Sequence, residues 1–133
     1  MTHNNGVCEF AVLHYHNIVV NQIYGDGKMR FKTSGPMEPT GHVINTLNNA
    51  MYWFSHSKTF EDAIVQAVNH GGDADTIAAL TGGLVGAKFG IHAIPKRWLD
   101  ALDPNVRAQL ASFATFVKIY MAFSQTKDSC GIM

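Results

Sequence analysis

This sequence has no excess of either charge, no long apolar run and only two cysteines. Its ten basic and ten acidic side chains cancel, which argues against a broad electrostatic surface for nucleic acid or for a membrane held by charge alone. No stretch approaches about 18 uninterrupted apolar residues, so we expect no membrane-spanning helix. A signal peptide is not expected either, because the sequence does not open with a basic region followed by an apolar run.

The two cysteines, Cys8 and Cys130, lie near opposite ends of the sequence and do not have the spacing of a disulfide framework. This cysteine usage is typical of a reducing compartment, so we expect a cytoplasmic protein. The last four residues, from Cys130 to Met133, match a prenylation pattern. Only Lys127 lies close upstream, and a polybasic stretch that would support lipid anchoring is missing. A chance match is therefore the favoured interpretation.

Hydrophobic residues make up 47% of the sequence, which is enough for a sizeable core, and their spacing predicts a mainly α-helical bundle in one domain. The first predicted helix after residue 39 has Thr40 as its N-cap. Three more run from Thr59 to Asn69–Gly71, from Ala74 to about Phe89 and from Lys96 to Leu102, and the last begins at Asp103–Pro104. We divide the chain into a poorly defined segment 1–36, a core 37–102 and a C-terminal helix 103–125.

Apolar faces can be assigned to three of the predicted helices. These faces are Ile44, Leu47, Met51 and Phe54 in the first; Ala63, Ile64, Ala67 and Val68 in the second; and Val106, Leu110, Phe113, Val117 and Tyr120 in the last. Each set has helical spacing and is expected to face the core.

The N-terminal third allows two interpretations. Gly25-Asp26-Gly27 separates two runs rich in β-branched and aromatic residues, which is typical of a hairpin with a second strand over Lys28–Lys32. Helical spacing is instead shared by Val12, Tyr15, Val19 and Ile23. We favour a helix over Cys8–Tyr24 and keep a short N-terminal hairpin as the alternative.

The stretch richest in possible chemistry is Gly-Gly-Asp-Ala-Asp-Thr at residues 71–76, where a loop becomes a helix. Residues two apart do not share a helix face, but in an irregular first turn Asp73, Asp75 and Thr76 can converge on one point. Three hard oxygen donors suit Mg²⁺, Mn²⁺ or Ca²⁺, and the glycine pair allows the backbone to approach a ligand closely. Helix capping by the two aspartates is the simpler alternative.

Two rows of small residues follow in the same predicted helix. The rows are Ala78-Gly82-Gly86 and Ala79-Gly83-Ala87. Small residues at this spacing let a neighbouring helix backbone come close. We therefore expect this helix to be clamped between neighbours, which would hold the aspartates of its first turn still.

The region from Pro39 to about Leu102 resembles the C-terminal part of the ADP-ribosylglycohydrolase family. The matching motifs are Gly-Gly-Asp-x-Asp-Thr, the Gly-x-x-x-Gly-Ala after it, and Ile-Pro-x-x-Trp at Ile94–Trp98. The resemblance implies an all-α fold, bound magnesium and cleavage of the N- or O-glycosidic bond of ADP-ribose. It also implies that the metal ligands include Asp73, Asp75 and Thr76.

Further residues are assigned by the same resemblance. Gly71 and Gly72 are expected near the metal or the ribose. The pair Gly41-His42 stands where the family often has glycine and tyrosine, so His42 is expected at the sugar or the adenine, with a surface histidine as the alternative. Glu38 precedes the motifs and is the nearby candidate for activating water.

The resemblance also implies further metal ligands from the N-terminal half of the family, where a Gly-Asp motif with a nearby acid and a Thr-Asp-Asp-Thr motif occur, and this sequence has no counterpart of them. It contains no Asp-Asp pair, and its glutamates are Glu9, Glu38 and Glu61, whereas Mg²⁺ takes about six ligands. We therefore expect a second copy, a partner subunit or an N-terminal segment to complete the site. A homo-oligomer or a partner would also cover the apolar faces of half a bundle. The alternatives to a hydrolase are an inactive remnant that binds ADP-ribose or a protein, and a helical domain without a ligand.

Overall fold

The structure, a computed structural model, describes residues 6–25, 33 and 35–128, with side chains described as far as Tyr120. Six α-helices lie in this part of the chain, and no strand does. They are α1 (Gly6–Tyr24), α2 (Val43–His56), α3 (Phe60–Asn69), α4 (Ala74–Phe89), α5 (Lys96–Asp100) and α6 (Pro104–Asp128), with a 3₁₀ turn at Ile91–Ala93. The predicted all-α fold is confirmed. None of the described helices is long and apolar enough to cross a lipid bilayer.

The chain forms two compact units, Met1–Pro95 and Lys96–Met133. The first holds α1 to α4 and the 3₁₀ turn, and the second holds α5 and α6. The division into 1–36, 37–102 and 103–125 stays a prediction.

The core of the first unit lies around α4, which packs against α1, α2 and α3. Ile77, Leu84 and Val85 of α4 are fully buried, and so is Thr81, whose hydroxyl donates to the Ile77 carbonyl at 2.8 Å. The other buried apolar residues of the unit are Ala11, Ile18, Leu47, Ala50, Met51, Phe54, Phe60, Ala63 and Ala67. The predicted clamping of α4 is therefore observed.

The small residues of α4 make room for side chains of the neighbouring helices. A Cβ added at Gly82 would lie 3.5 Å from the Ile64 Cδ1 atom of α3. A Cβ at Gly83 would overlap the hydroxyl of Tyr15 in α1, which donates to the Leu80 carbonyl at 3.1 Å. We expected helix backbones to fill this space, but at these glycines the nearest atoms belong to side chains.

Helix α1 decides between the two interpretations of the N-terminal third. The chain is helical from Gly6 to Tyr24, so the hairpin is wrong as far as Gly25, and its second strand over 28–32 lies outside the described residues. The helix forms because its face with Ala11 and Ile18 is buried and Tyr15 is hydrogen-bonded to α4. Tertiary contacts at helical spacing outweigh the β propensity of the individual residues.

The predicted cap of α2 was wrong. This helix begins at Val43, and its N-cap is His42 in an extended conformation. The hydroxyl of Thr40 accepts hydrogen bonds from the His42 amide (3.4 Å) and from Asn45 Nδ2 (3.1 Å). Thr40 therefore stays outside the helix and supports the turn that leads into it.

Helix α3 begins and ends where the sequence predicts, but one residue of its predicted buried face is exposed. The Thr59 hydroxyl accepts a hydrogen bond from the Asp62 amide at 3.1 Å, as expected of an N-cap. Ala63 and Ala67 are fully buried, whereas Val68 is 48% exposed. At 3.6 residues per turn, Val68 points about 100° away from Ala67 and leaves the buried face.

The second unit contains the short α5 and the long α6. Helix α5 ends at Asp100, two residues before the predicted end, and Asp103 caps α6 by accepting the Asn105 amide at 2.8 Å. The predicted apolar face of α6 is exposed within this unit. Its exposed members are Val106, Leu110, Phe113, Val117 and Tyr120.

Candidate functional site

The loop between α3 and α4 is shaped by two glycines with positive φ. Gly71 has φ 82° and Gly72 has φ 59°, a region that residues with a side chain rarely adopt. At Gly72 space is also short, because an added Cβ would overlap the carbonyl oxygen of Pro39. Both conditions require glycine at position 72 and bring the chain to Asp73 in a defined direction.

Asp73 is held by its backbone and by the first turn of α4. Its amide donates to the Pro39 carbonyl at 2.9 Å, and its Oδ1 accepts a hydrogen bond from the Thr76 hydroxyl at 3.0 Å. Although Asp73 occupies the N-cap position, its carboxylate accepts no backbone amide. Thr76 uses its proton in this bond, so both lone pairs of its oxygen stay available to a ligand.

Asp75 is exposed in the first turn of α4. The described contacts join Asp73 to Thr76, and none of them includes the Asp75 carboxylate. The structure therefore brings together two of the three predicted oxygen donors. The third donor faces solvent from the same helical turn.

The start of α2 runs beside the Asp73 carboxylate. A Cβ added at Gly41 would lie 3.5 Å from Asp73 Oδ2, so the backbone at this position borders the carboxylate. The next residue, His42, is exposed, and its carbonyl accepts the Thr46 amide at 3.0 Å. Glu38 is also exposed, and the contacts described for it involve its carbonyl oxygen. The roles of His42 and Glu38 stay predictions.

A cavity of about 300 Å³ opens next to this carboxylate–hydroxyl pair. It lies between α1, α2 and α4, and its wall includes Gly41 and Thr76. The remaining lining residues are Ala11, Val12, Tyr15, Val43, Thr46, Leu47 and Leu80. Burial raises the pKa of the Tyr15 phenol, so this hydroxyl stays a proton donor over the neutral pH range.

The sequence interpretation did not include this cavity. Val12 and Tyr15 were recognised as one helical face, but nothing in the sequence indicates that this face closes a pocket against Thr76. The related feature in the sequence is Gly83, whose lack of a side chain leaves the space that Tyr15 occupies.

The donors present suit a hard divalent cation by their chemistry. Asp73 and Asp75 offer carboxylate oxygens and Thr76 offers a hydroxyl oxygen, which are the ligand types that Mg²⁺ and Mn²⁺ prefer. Among the described residues, no group of three or more His, Cys, Asp or Glu side chains is placed to hold a metal ion. The described residues thus bring together two donor groups of this kind, the Asp73 carboxylate and the Thr76 hydroxyl.

Comparison with known proteins extends the match well beyond this loop. The sequence model of a family described as ADP-ribosylglycohydrolase matches residues 15–128. The chain is 30% identical over 125 residues to the ADP-ribosyl-dinitrogen reductase glycohydrolase of Rhodospirillum rubrum, covering 83% of this chain and 42% of that protein. No solved structure matches the chain.

Two further relatives match shorter regions. The ADP-ribosylarginine hydrolase Tri1 of Serratia proteamaculans is 43% identical over 81 residues, covering 61% of this chain and 22% of that protein. The ADP-ribosylhydrolase ARH3 of Bos taurus is 31% identical over 67 residues, covering 50% of this chain and 16% of that protein. The chain thus spans less than half the length of these relatives. Because the family model matches most of the chain, the protein belongs to the ADP-ribosylglycohydrolase family.

Proposed function

We propose that this chain forms one side of the active site of a magnesium-dependent ADP-ribosyl hydrolase. Such an enzyme cleaves the glycosidic bond between ADP-ribose and a modified substrate. One observation supports the proposal most: the Asp73 carboxylate and the Thr76 hydroxyl lie 3.0 Å apart at the start of a buried helix. Thr76 also lines the adjacent cavity, so a ligand there would lie against Thr76.

In this proposal Asp73, Asp75 and Thr76 hold the magnesium ion, with manganese as the alternative. When bound, magnesium would orient ribose hydroxyls and a water and would stabilise negative charge that develops as the glycosidic bond breaks. The protein contributes the rigidity: the hydrogen bond to Pro39 and the packed α4 keep the carboxylate of Asp73 in place. Preorganised ligands of this kind are what catalysis by electrostatic stabilisation needs.

The residues around the carboxylate have separate roles in the same proposal. Gly41 lets the ribose approach the backbone without a side chain in the way, and Gly71 and Gly72 shape the turn that leads to Asp73 beside the ribose. His42 contacts the sugar or the adenine from the start of α2. Glu38 is the candidate within this chain for activating water, and a carboxylate from outside the chain is the other source.

The remaining ligands come, in this proposal, from a second copy, a partner subunit or another segment. Helix α1 exposes large apolar side chains that such a partner would cover. More than half of the side-chain surface is exposed at Phe10, Leu13 and Tyr24. Exposed apolar groups of this density are typical of surfaces that associate.

Arginine-linked ADP-ribose is the first substrate to test, because the Serratia relative is named as an ADP-ribosylarginine hydrolase. Release of ADP-ribose from an ADP-ribosylated arginine protein is measured by liquid chromatography with the purified chain and Mg²⁺. We expect release to require Mg²⁺ and to fall at least about 100-fold in Asp73→Asn, since a ligand of the ion that provides electrostatic stabilisation is lost.

Asp100→Asn is the matched control, because Asp100 is an exposed carboxylate paired with Lys96 in the other unit. This variant should keep the activity of the parent chain. Calorimetry with ADP-ribose and Mg²⁺ separates the alternatives. Binding without turnover would indicate an inactive ligand-binding member of the family, and absence of both binding and turnover would refute a hydrolase formed by this chain alone or by copies of it.

A further inference from the structure

The segment from Gly35 to Thr40, here called the anchoring segment, lies between α2 and the glycine loop. Pro36 and Pro39 lack amide protons, so this segment is held mainly through its carbonyl oxygens. Three side chains of α2 donate to these carbonyls. They are Asn48 to Gly35 (3.0 Å), Asn45 to Glu38 (3.2 Å) and Thr46 to Thr40 (3.1 Å).

The opposite edge of the anchoring segment is bound by the glycine loop. The Met37 carbonyl accepts a hydrogen bond from His70 Nε2 at 2.9 Å, and the Pro39 carbonyl accepts the Asp73 amide at 2.9 Å. The backbone of Gly72 fits closely against Pro39. The position of Asp73 therefore depends on where the anchoring segment lies.

Asn49 of α2 holds the anchoring segment at its centre. Its Oδ1 accepts the Met37 amide at 2.7 Å, while the Met37 carbonyl is bound to His70 on the other side. Asn49 is fully buried, and its Nδ2 has no hydrogen-bond partner. An orphaned buried donor is unfavourable, and a leucine of similar size would avoid it. What this asparagine adds, and leucine cannot, is the bond to Met37.

We propose that Asn49 is a positioning residue for Asp73, acting through Met37 and Pro39 of the anchoring segment. The structural part of this inference stands on the hydrogen bonds alone. Its functional consequence, a weaker metal site when Asn49 is replaced, rests on the proposed function of Asp73.

Asn49→Leu tests the structural part by amide hydrogen exchange followed by NMR. The Asp73 amide should exchange about fivefold faster than in the parent chain, which corresponds to the loss of about one net hydrogen bond. The amide of Leu84, in the buried part of α4, should be unchanged within about twofold because only local opening is affected.

Asn48→Leu is the matched control, with the same substitution one position earlier in α2. It removes the bond to Gly35, at the far end of the anchoring segment, and leaves the bond between Asn49 and Met37. Its Asp73 amide should exchange as in the parent chain. Equal acceleration in both variants, or no acceleration in Asn49→Leu, would overturn the inference.

If Asn49→Leu does not fold, Asn49→Ala tests the same coupling, because it also removes the oxygen that accepts the Met37 amide. Faster exchange of the Asp73 amide, with Leu84 unchanged, supports the inference. Unchanged Asp73 exchange refutes it.

Titration with Mn²⁺, followed by electron paramagnetic resonance of the free ion, tests the consequence. We expect Asn49→Leu to bind Mn²⁺ about fivefold more weakly, matching the loss of order at Asp73. A parent chain that binds no Mn²⁺ would show that this chain does not hold the metal by itself and would leave the exchange result to decide on Asn49. Unaltered Mn²⁺ affinity in a variant with faster Asp73 exchange would show that this positioning does not serve a metal.

Discussion

Helices α4 and α1 pack against each other, yet they distribute small and large residues in opposite ways. Helix α4 keeps three glycines in its interior and is buried at Ile77, Leu84 and Val85. Helix α1 carries larger apolar residues and exposes many of them. The difference comes from the number of neighbours, since α4 packs against three helices and α1 against two of the described ones. Burial here follows position in the bundle and not the hydrophobicity of the helix.

The largest expected effect compares one leucine from each helix. Leu84 of α4 is fully buried, whereas Leu13 of α1 is 61% exposed. We expect Leu84→Ala to lower the free energy of unfolding by about 3 kcal/mol through lost burial and a cavity. Leu13→Ala should change it by less than about 0.5 kcal/mol. Urea denaturation of both variants measures the difference, and similar losses would show that α1 is covered as closely as α4.

An intermediate effect is expected where the two helices meet. Gly83→Ala should cost about 1–3 kcal/mol, because the new methyl group overlaps the Tyr15 hydroxyl and overpacks the contact. Tyr15→Phe removes that hydroxyl, so the cost of Gly83→Ala should shrink in the double variant.

Gly86→Ala serves as the control for helix propensity in the same experiment. A Cβ there would lie 3.9 Å from Phe60 Cε2, an ordinary contact. This variant should be neutral or gain up to about 1 kcal/mol from the better helix propensity of alanine. Equal costs at positions 83 and 86 would contradict a specific contact with Tyr15.

The smallest effect concerns pH. Burial raises the pKa of Tyr15 above its usual value of 10.0, so the folded chain holds the phenolic proton more tightly than the unfolded chain does. The stability from this residue is therefore complete below about pH 10 and is lost as the pH rises through the folded-state pKa. Between about pH 9 and about pH 11, the parent chain should lose more stability in urea denaturation than Tyr15→Phe. A parallel decline of both proteins would indicate that Tyr15 is not buried.

The sequence predicted the local features of the site well and its surroundings poorly. Glycines 71 and 72, the two aspartates and Thr76 are adjacent in the chain, so their chemistry and the start of α4 could be recognised from a short stretch. The prediction of Thr40 as the N-cap of α2 was wrong, because the Thr40 hydroxyl accepts a hydrogen bond from the Asn45 side chain, which residue spacing does not reveal. The cavity was missed because α1, α2 and α4 together form its wall.

The spacing of apolar residues and one short motif were enough to establish that this protein is helical and that two carboxylates and a hydroxyl stand at the start of a small-residue helix. Periodicity and local motifs act over a few residues, and that range is enough for such features. The packing of the helices was needed to show that the Pro39 carbonyl accepts the Asp73 amide, that Asn49 accepts the Met37 amide, and that Tyr15 occupies the space left by Gly83. These contacts join residues far apart in the chain, and they form only when the helices pack.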